Sequence, residues 1–219
     1  MPEQDFLANE HRILGEMEEK GRKARETGLV SKLPKPGEVQ AGYIVYLTHD
    51  KKISDDVDRF SEAVSASLGG NILLYGNCCG YRGRSNVHTT VATYDIKNVP
   101  GFQPDRTLLA KLGDAAHASM SEFLNARSNV PEKRPVLDYS QLIHDEGTVI
   151  AEPSGTAIDY CELRESVAKK TSEKGIQVKP SWGRHITVGR FTRAFSPEEL
   201  GKFREIMDNP YFYPDSIST

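Results

Sequence analysis

The feature that most constrains this chain is a four-residue pattern that occurs twice: histidine, any residue, threonine, aliphatic residue. One copy begins at His88 in the stretch NVHTTVA, and the other begins at His185 in GRHITVG, 97 positions later. Both copies stand in β-branched stretches, which predict strands over residues 87–96 and 184–192. Each predicted strand is preceded by a strand and a helix and is followed by another helix. The chain therefore predicts two similar halves, each built around one copy of the pattern.

The further predicted strands cover 42–48, 71–76, 135–144 and 147–153, the further predicted helices cover about 54–68, 104–126, 159–175 and 196–209, and 77–86 is a predicted loop. The last of these helices opens with a capping-box pattern at Ser196 and Glu199.

The element order predicts an α+β fold. The halves cover about residues 40–130 and 131–210, and no linker separates them. We therefore expect residues 39–219 to form a single bilobal domain, since a chain of 219 residues can bury one core shared by two halves. Residues 1–38 are expected to hold an amphipathic helix over about 3–27, which packs on the body or on a partner, followed by a linker.

Composition limits the partners that the chain can bind. A formal charge of −3 and a pI near 6.1 give no basic field for duplex DNA or long RNA. No apolar run approaches the roughly 20 residues of a membrane span, and the charged N-terminus is unlike a signal peptide. We therefore expect a cytoplasmic protein that does not bind membranes.

Metal and cofactor motifs are not found in the sequence. No H-E-x-x-H, C-x-x-C or Walker pattern occurs, so we expect neither a metal nor a cofactor. The cysteines Cys78, Cys79 and Cys161 are odd in number, which predicts reduced thiols. The oligomeric state is left open by these patterns.

Alternation along a strand gives the repeated pattern its chemistry. His88 and Thr90 share one face, and His185 and Thr187 do the same, while Thr89 points to the opposite, packing face. An imidazole can exchange a proton at neutral pH, and a threonine hydroxyl can donate to a phosphate oxygen. Two such units across a cleft would let one imidazole deprotonate water while the other protonates a leaving oxygen. The hydroxyls would hold the non-bridging oxygens as charge shifts.

The paired tetrads, about a hundred residues apart, resemble those of the 2H phosphoesterase superfamily. Its members include RNA 2′,3′-cyclic phosphodiesterases and the fungal and plant cyclic phosphodiesterases. The resemblance covers about residues 42–210 and implies two pseudo-two-fold related lobes around a central groove, without a metal. It implies that His88 and His185 are the acid and the base and that Thr90 and Thr187 bind the phosphate. The implied substrate is a small cyclic phosphodiester, such as a nucleoside 2′,3′-cyclic phosphate, or an RNA end.

Three features depart from this family pattern. Thr89 stands where an aliphatic residue is usual, so the packing side of the first tetrad is less apolar. The segment 210–219 does not have the pattern of the closing strand that the family usually has. The predicted N-terminal helix lies outside the family pattern.

Four further residues are candidates for binding the substrate. Tyr46, on the first strand, is the preferred platform for a base, because family members often have an aromatic residue there. Trp182 lies three residues before the second histidine, and Phe191 is expected to share the face of that histidine. Arg184 flanks the same strand and could assist at the phosphate. Core packing is the alternative for Tyr46 and Phe191, and a solvated loop arginine is the alternative for Arg184.

Two other functions remain open at the level of the sequence. The groove could bind a nucleotide or RNA without turnover, although binding alone does not require two proton-transfer groups. It could also carry out acid–base chemistry on a metabolite that is not a nucleotide. The sequence does not assign the base and the acid between the two histidines, nor the 2′- or 3′-monophosphate as product.

Overall fold

The structure, a computed structural model, describes most of the chain and leaves several segments undescribed. It covers residues 3–28, 40–49, 72–74, 87–98, 103–129, 138–145, 148–191 and 193–208, and eight positions between 55 and 67. The predicted loop at 77–86 and the C-terminal segment from 209 onward lie outside the described residues.

Four helices have described bounds: α1 (Glu3–Thr27), α2 (Arg106–Ala126), α3 (Ile158–Glu173) and α4 (Pro197–Met207). All four lie where helical periodicity predicts them. Helix α4 begins with the predicted capping box, in which the Ser196 hydroxyl accepts from the backbone of Glu199 and the Glu199 carboxylate accepts from the backbone of Ser196. Helical residues also occur at the described positions between 55 and 67, where another helix is predicted.

Within the described residues, seven strands form an antiparallel sheet with the main order β1-β3-β7-β5-β4. The strands are β1 (Gln40–Thr48), β2 (Ile72–Leu74), β3 (His88–Asn98), β4 (Asp138–His144), β5 (Thr148–Ser154), β6 (Lys179–Pro180) and β7 (Ile186–Phe191). Strand β2 pairs with β7, and the two-residue strand β6 pairs with β3. Strand β6 is the one described strand without a sequence prediction.

One apolar core joins the sheet to all four helices. Buried residues from the strands, such as Val91 and Val188, belong to the same cluster as Phe123 of α2 and Phe203 of α4. Phe6 of α1 is completely buried in this cluster and lies against Tyr160. The expectation of a mixed α+β fold is confirmed.

Helix α1 packs on the body of the protein rather than projecting from it. At Gly21 the helix approaches strand β4 so closely that an added Cβ would lie 2.0 Å from the carbonyl oxygen of His144, so only glycine fits. Four residues further along α1, the Arg25 side chain donates to Nε2 of His144 at 2.7 Å. Within the described part of the chain, no helix is both long and apolar enough to cross a membrane.

Candidate active site

The two tetrads are neighbours in the sheet, although they are far apart in sequence. Thr89 of β3 pairs with Ile186 of β7 in antiparallel register, and these are the second residues of the two tetrads. Continued by one residue in each direction, this register sets the histidine of each tetrad opposite the threonine of the other. The two copies are thus related by a local two-fold axis through this residue pair.

Both histidines and both threonines of the tetrads line one cavity of about 740 Å³. His88, Thr90, His185 and Thr187 are each half-buried, so part of each side chain is open to the cavity, while Nδ1 of His185 is buried. The volume lies within the range of pockets that hold small-molecule ligands. The structure therefore places these four side chains around one cavity.

A β-bulge lies at the end of each tetrad, and its extra residue is the aliphatic fourth residue of the tetrad. Between β1 and β3, neighbouring pairs skip Val91; between β5 and β7, they skip Val188. Both valines are 1% exposed, which holds the bulges against the core. A bulge reverses the alternation of faces beyond it, so Thr93 and Arg190 line the cavity, each five positions after its histidine.

The bulge in β7 corrects the prediction for Phe191. Regular alternation would place this ring on the face of His185, but the extra residue turns it to the opposite side. Phe191 is 1% exposed and packs in the core at 4.9 Å from Phe195, measured between ring centroids. Phe191 does not line the cavity. Arg190 instead faces the cavity on the side of the strand where Phe191 was expected.

Arg184 also lies away from the cavity, contrary to its candidacy as a substrate-binding residue. Its side chain is almost fully buried and forms a salt bridge of 2.7 Å with Glu10 of helix α1, whose exposure is 0%. The backbone N–H of Arg184 donates to the same carboxylate at 2.8 Å. Its Nη1 atom donates to the carbonyl oxygens of Ser154 and Thr156 at 2.9 and 2.6 Å. This side chain therefore holds the segment before His185 and is not available to a substrate.

The two aromatic candidates, in contrast, lie next to the tetrad histidines. The ring of Tyr46 is 5.1 Å from the ring of His88 and is 49% exposed. The indole of Trp182 stacks on the ring of His185 at 4.3 Å with an interplanar angle of 12°. Tyr46 thus lies beside the first tetrad histidine and Trp182 beside the second.

The environment of His185 favours its neutral form. Burial lowers its pKa to about 4, and the positive charges of His88 and Arg190 add to this effect, while the backbone of Gly183 acts in the opposite direction. At neutral pH the ring therefore carries one proton and can accept another. His185 therefore has, at pH 7, the protonation state that a proton acceptor needs.

A buried chain of hydrogen bonds explains the unusual Thr89. Its hydroxyl lies 2.9 Å from Nε2 of His49 and 2.5 Å from the Tyr139 hydroxyl, which donates to the carbonyl of Arg184 at 2.9 Å. Because the tyrosine donates its one proton to that carbonyl, Thr89 must donate to the tyrosine and accept from His49. The chain connects the middle of the first tetrad to the residue before the second histidine.

The segment before His185 is held by two further hydroxyl groups. The Tyr160 hydroxyl lies 2.7 and 3.1 Å from the carbonyl oxygens of Thr90 and Gly183 and shares its one proton between them, and Ser181 donates to Gly183 at 3.0 Å. The tyrosine therefore bridges the backbones of both tetrad regions. These bonds fix the distance between the two halves of the site.

The sequence analysis missed Arg190 and the supporting residues Glu10 and Tyr139. Arg190 stands five positions after His185, as Thr93 stands five positions after His88. This equal spacing is visible in the sequence, but it places both side chains at the cavity only because each strand has a bulge. Among the described residues, no group of three or more histidine, cysteine, aspartate or glutamate side chains could hold a metal ion. No protein-family model matches the chain, and no curated protein matches it.

Proposed function

We propose that this chain is a metal-independent phosphodiesterase of the 2H phosphoesterase type, with a bilobal fold in which each lobe supplies one tetrad. Its substrate is a nucleoside 2′,3′-cyclic phosphate, a similar cyclic phosphodiester or an RNA end. The observation that carries the proposal is the antiparallel pairing of the tetrads beside one cavity. Binding alone does not require two imidazoles and two hydroxyls related by a local two-fold axis.

In the proposed reaction, His185 accepts a proton from water as the water oxygen attacks phosphorus. The bond from phosphorus to one ribose oxygen breaks, and His88 donates its proton to that oxygen. Thr90 and Thr187 donate hydrogen bonds to the non-bridging oxygens, where negative charge builds up. The product is a nucleoside monophosphate, and proton exchange with solvent restores the histidines.

The protonation state and the surroundings of His185 support its role as the general base. The depressed pKa of His185 keeps it neutral at pH 7, and its stacked indole neighbour excludes water from one face of the ring. His88 then supplies the proton for the leaving oxygen. The exposed ring of Tyr46 lies beside His88, where it can contact the base or the ribose of the substrate.

The decisive test is hydrolysis of a panel of four nucleoside 2′,3′-cyclic phosphates in the presence of a chelator. Wild type should turn over at least one of them, and His88→Ala and His185→Ala should each lose most of the activity. General acid–base catalysis typically contributes about 10² to 10⁴-fold, which sets the expected loss in each variant. His117→Ala, in an exposed position on helix α2, is the matched control and should retain full activity.

The pH dependence of kcat/KM tests the assignment of acid and base. His185→Ala should lose the acidic limb of the bell-shaped profile, and His88→Ala should lose the basic limb. If His185→Ala instead loses the basic limb and His88→Ala the acidic limb, His88 is the base and His185 the acid, and the proposed activity still stands. Turnover that survives both substitutions would contradict the mechanism, and binding without turnover in wild type would identify a binding module.

A further inference from the structure

Helix α1 forms one wall of a second compartment beside the catalytic cavity. This helix compartment has a volume of about 280 Å³ and is lined by Ile13, Met17 and Lys20 of α1, among other residues. Its other walls come from β5, β7 and the segment before β7, including Ile150 and Trp182. The N-terminal helix, which has no place in the family pattern, therefore borders the site.

The helix compartment and the catalytic cavity are neighbours that share part of their lining. Trp182, His185, Thr187 and Arg190 line both of them. Pockets that hold a whole small-molecule ligand usually measure about 300 to 1,000 Å³, so a compartment of about 280 Å³ is small for a separate ligand. It is suited to a group that extends from a molecule already bound between the histidines.

Two cationic side chains of the helix compartment can interact with an anion. Lys20 is half-buried, and within the described part of the chain it has no salt bridge or hydrogen bond. Arg190 lies near enough to His185 for its charge to lower the pKa of that ring. An ammonium group without a carboxylate partner at the border of an active site is a ready ligand for a phosphate.

The two carboxylates of the compartment already have donors. Glu16 accepts from Arg12 at 2.5 Å on the exposed side of α1. Asp145 accepts from the backbone N–H of Thr148 at 2.7 Å through Oδ1. Both carboxylates are therefore hydrogen-bonded, whereas Lys20 has no such partner among the described residues and is the charged side chain of this compartment that is most open to an anion.

The opposite end of the catalytic cavity is apolar and exposed. Ile44 and Ile96 line it with exposures of 40% and 37%, and the exposed ring of Tyr46 lies on the same strand as Ile44. The apolar face of a nucleobase that packs on such a surface is removed from water, which is favourable. The two ends of the site therefore differ in chemistry. Ile44, which pairs with Thr93, and Ile96 lie along β3 beyond Thr90, whereas Lys20 and Arg190 lie in the compartment that His185 also lines.

A nucleoside 2′,3′-cyclic phosphate has two ends with the same difference. Its base and its 5′ carbon lie on opposite sides of the 2′,3′ edge of the ribose, where the cyclic phosphate is attached. We propose that the helix compartment is a subsite for a phosphate on the 5′ carbon, held by Lys20 with Arg190 beside it, while the base lies against Ile44 and Ile96. The preferred substrates would then carry a 5′-phosphate, either as a monoester or as the phosphodiester of an RNA chain.

This inference rests on the proposed function, and equilibrium binding separates the two without turnover. The probes are the 2′- and 3′-monophosphates of adenosine and the matching 2′,5′- and 3′,5′-bisphosphates, titrated calorimetrically into the full chain. We expect a bisphosphate to bind about tenfold more tightly than its matching monophosphate, which corresponds to about 1.4 kcal/mol. Lys20→Met should abolish most of this preference.

Lys23→Met is the matched control, since Lys23 lies on the exposed side of the same helix beside Glu19 and should leave the preference unchanged. The dinucleotide ApAp, with a 5′ phosphodiester and a 3′-phosphate, distinguishes the two sources of the phosphate. Binding of ApAp at least as tight as that of the bisphosphate indicates an RNA end, and weaker binding indicates a mononucleotide.

Equal affinity for monophosphates and bisphosphates in wild type would overturn the inference and leave the proposed function intact. Retention of the preference in Lys20→Met, or its loss in Lys23→Met, would also overturn it, because the preference would then reflect general electrostatic attraction. If no ligand binds and no cyclic phosphate is hydrolysed, the proposed function fails and the inference fails with it.

Discussion

Replacement of Glu10 by alanine tests the structural coupling between helix α1 and the second tetrad. The substitution removes a carboxylate that accepts from the backbone and the guanidinium of Arg184, both deep in the protein. Loss of one partner of a buried ion pair costs about 3 to 5 kcal/mol, because the other charge stays buried without compensation. Arg184 keeps its bonds to the carbonyl oxygens of Ser154 and Thr156, which favours the lower end.

We therefore expect Glu10→Ala to lower the free energy of unfolding by about 3 kcal/mol. In a chain of 219 residues, 1 kcal/mol shifts Tm by roughly 2 to 4 °C, so the expected shift is roughly 6 to 12 °C. Urea unfolding and a thermal scan measure the two quantities. Glu10→Gln keeps the shape and one acceptor oxygen, and it should fall between Glu10→Ala and wild type.

Glu16→Ala is the matched control for this prediction. Glu16 lies on the same helix and also pairs with an arginine, but its side chain is 53% exposed. Exposed pairs contribute about 0.2 to 1 kcal/mol, so this variant should resemble wild type. If Glu10→Ala and Glu16→Ala unfold within about 0.5 kcal/mol of each other, the argument from burial is refuted.

Three further results are expected. His144 is 1% exposed and accepts from Arg25, and its pKa is lowered to about 4, mainly by burial. Its contribution to stability should therefore be complete above pH 6.5 and should fall by about 3 kcal/mol towards pH 4. His185 acts in the same direction, so two histidines contribute to the loss of stability at low pH. In urea unfolding, His144→Gln should therefore reduce the dependence of the unfolding free energy on pH without removing it. An unchanged pH dependence would contradict the assignment to His144. Thr89→Val leaves a buried tyrosine hydroxyl without its donor and should cost about 1 to 3 kcal/mol in urea unfolding; a loss like that of an exposed threonine would contradict this. Thr90→Val, one position along, should lower kcat about a hundredfold with little change in stability, and unchanged kcat would exclude Thr90 from phosphate stabilisation.

Much of the secondary structure follows from local signals in the sequence. The capping box at Ser196 and Glu199 predicted the start of helix α4, because the same few side chains that satisfy its backbone groups define its boundary. Helix α1 follows from its periodicity, since one face must be apolar wherever the helix packs. Strand β6 escaped prediction because two residues, one of them proline, have no strand pattern.

The candidate site could be predicted only in part, because alternation is a local rule that bulges interrupt. The positions of His88 and His185 on a common site follow from the repeated tetrad. The orientation of Arg190 and Phe191 does not, since both come after the bulge at Val188. Whether an aliphatic residue forms a β-bulge depends on the pairing with the partner strands and on the core against which the residue packs.

The sequence by itself determined the two tetrads, their strands and the chemistry of their side chains, because these depend on residue type and short-range periodicity. Only the tertiary structure decided that Arg184 supports the site instead of binding at it, since its partner Glu10 lies 174 positions away. The same holds for helix α1, whose pattern shows an apolar face but not the surface that the face covers. Contacts between distant segments depend on how the whole chain packs, and packing chose which polar side chains face the cavity and which are buried behind it.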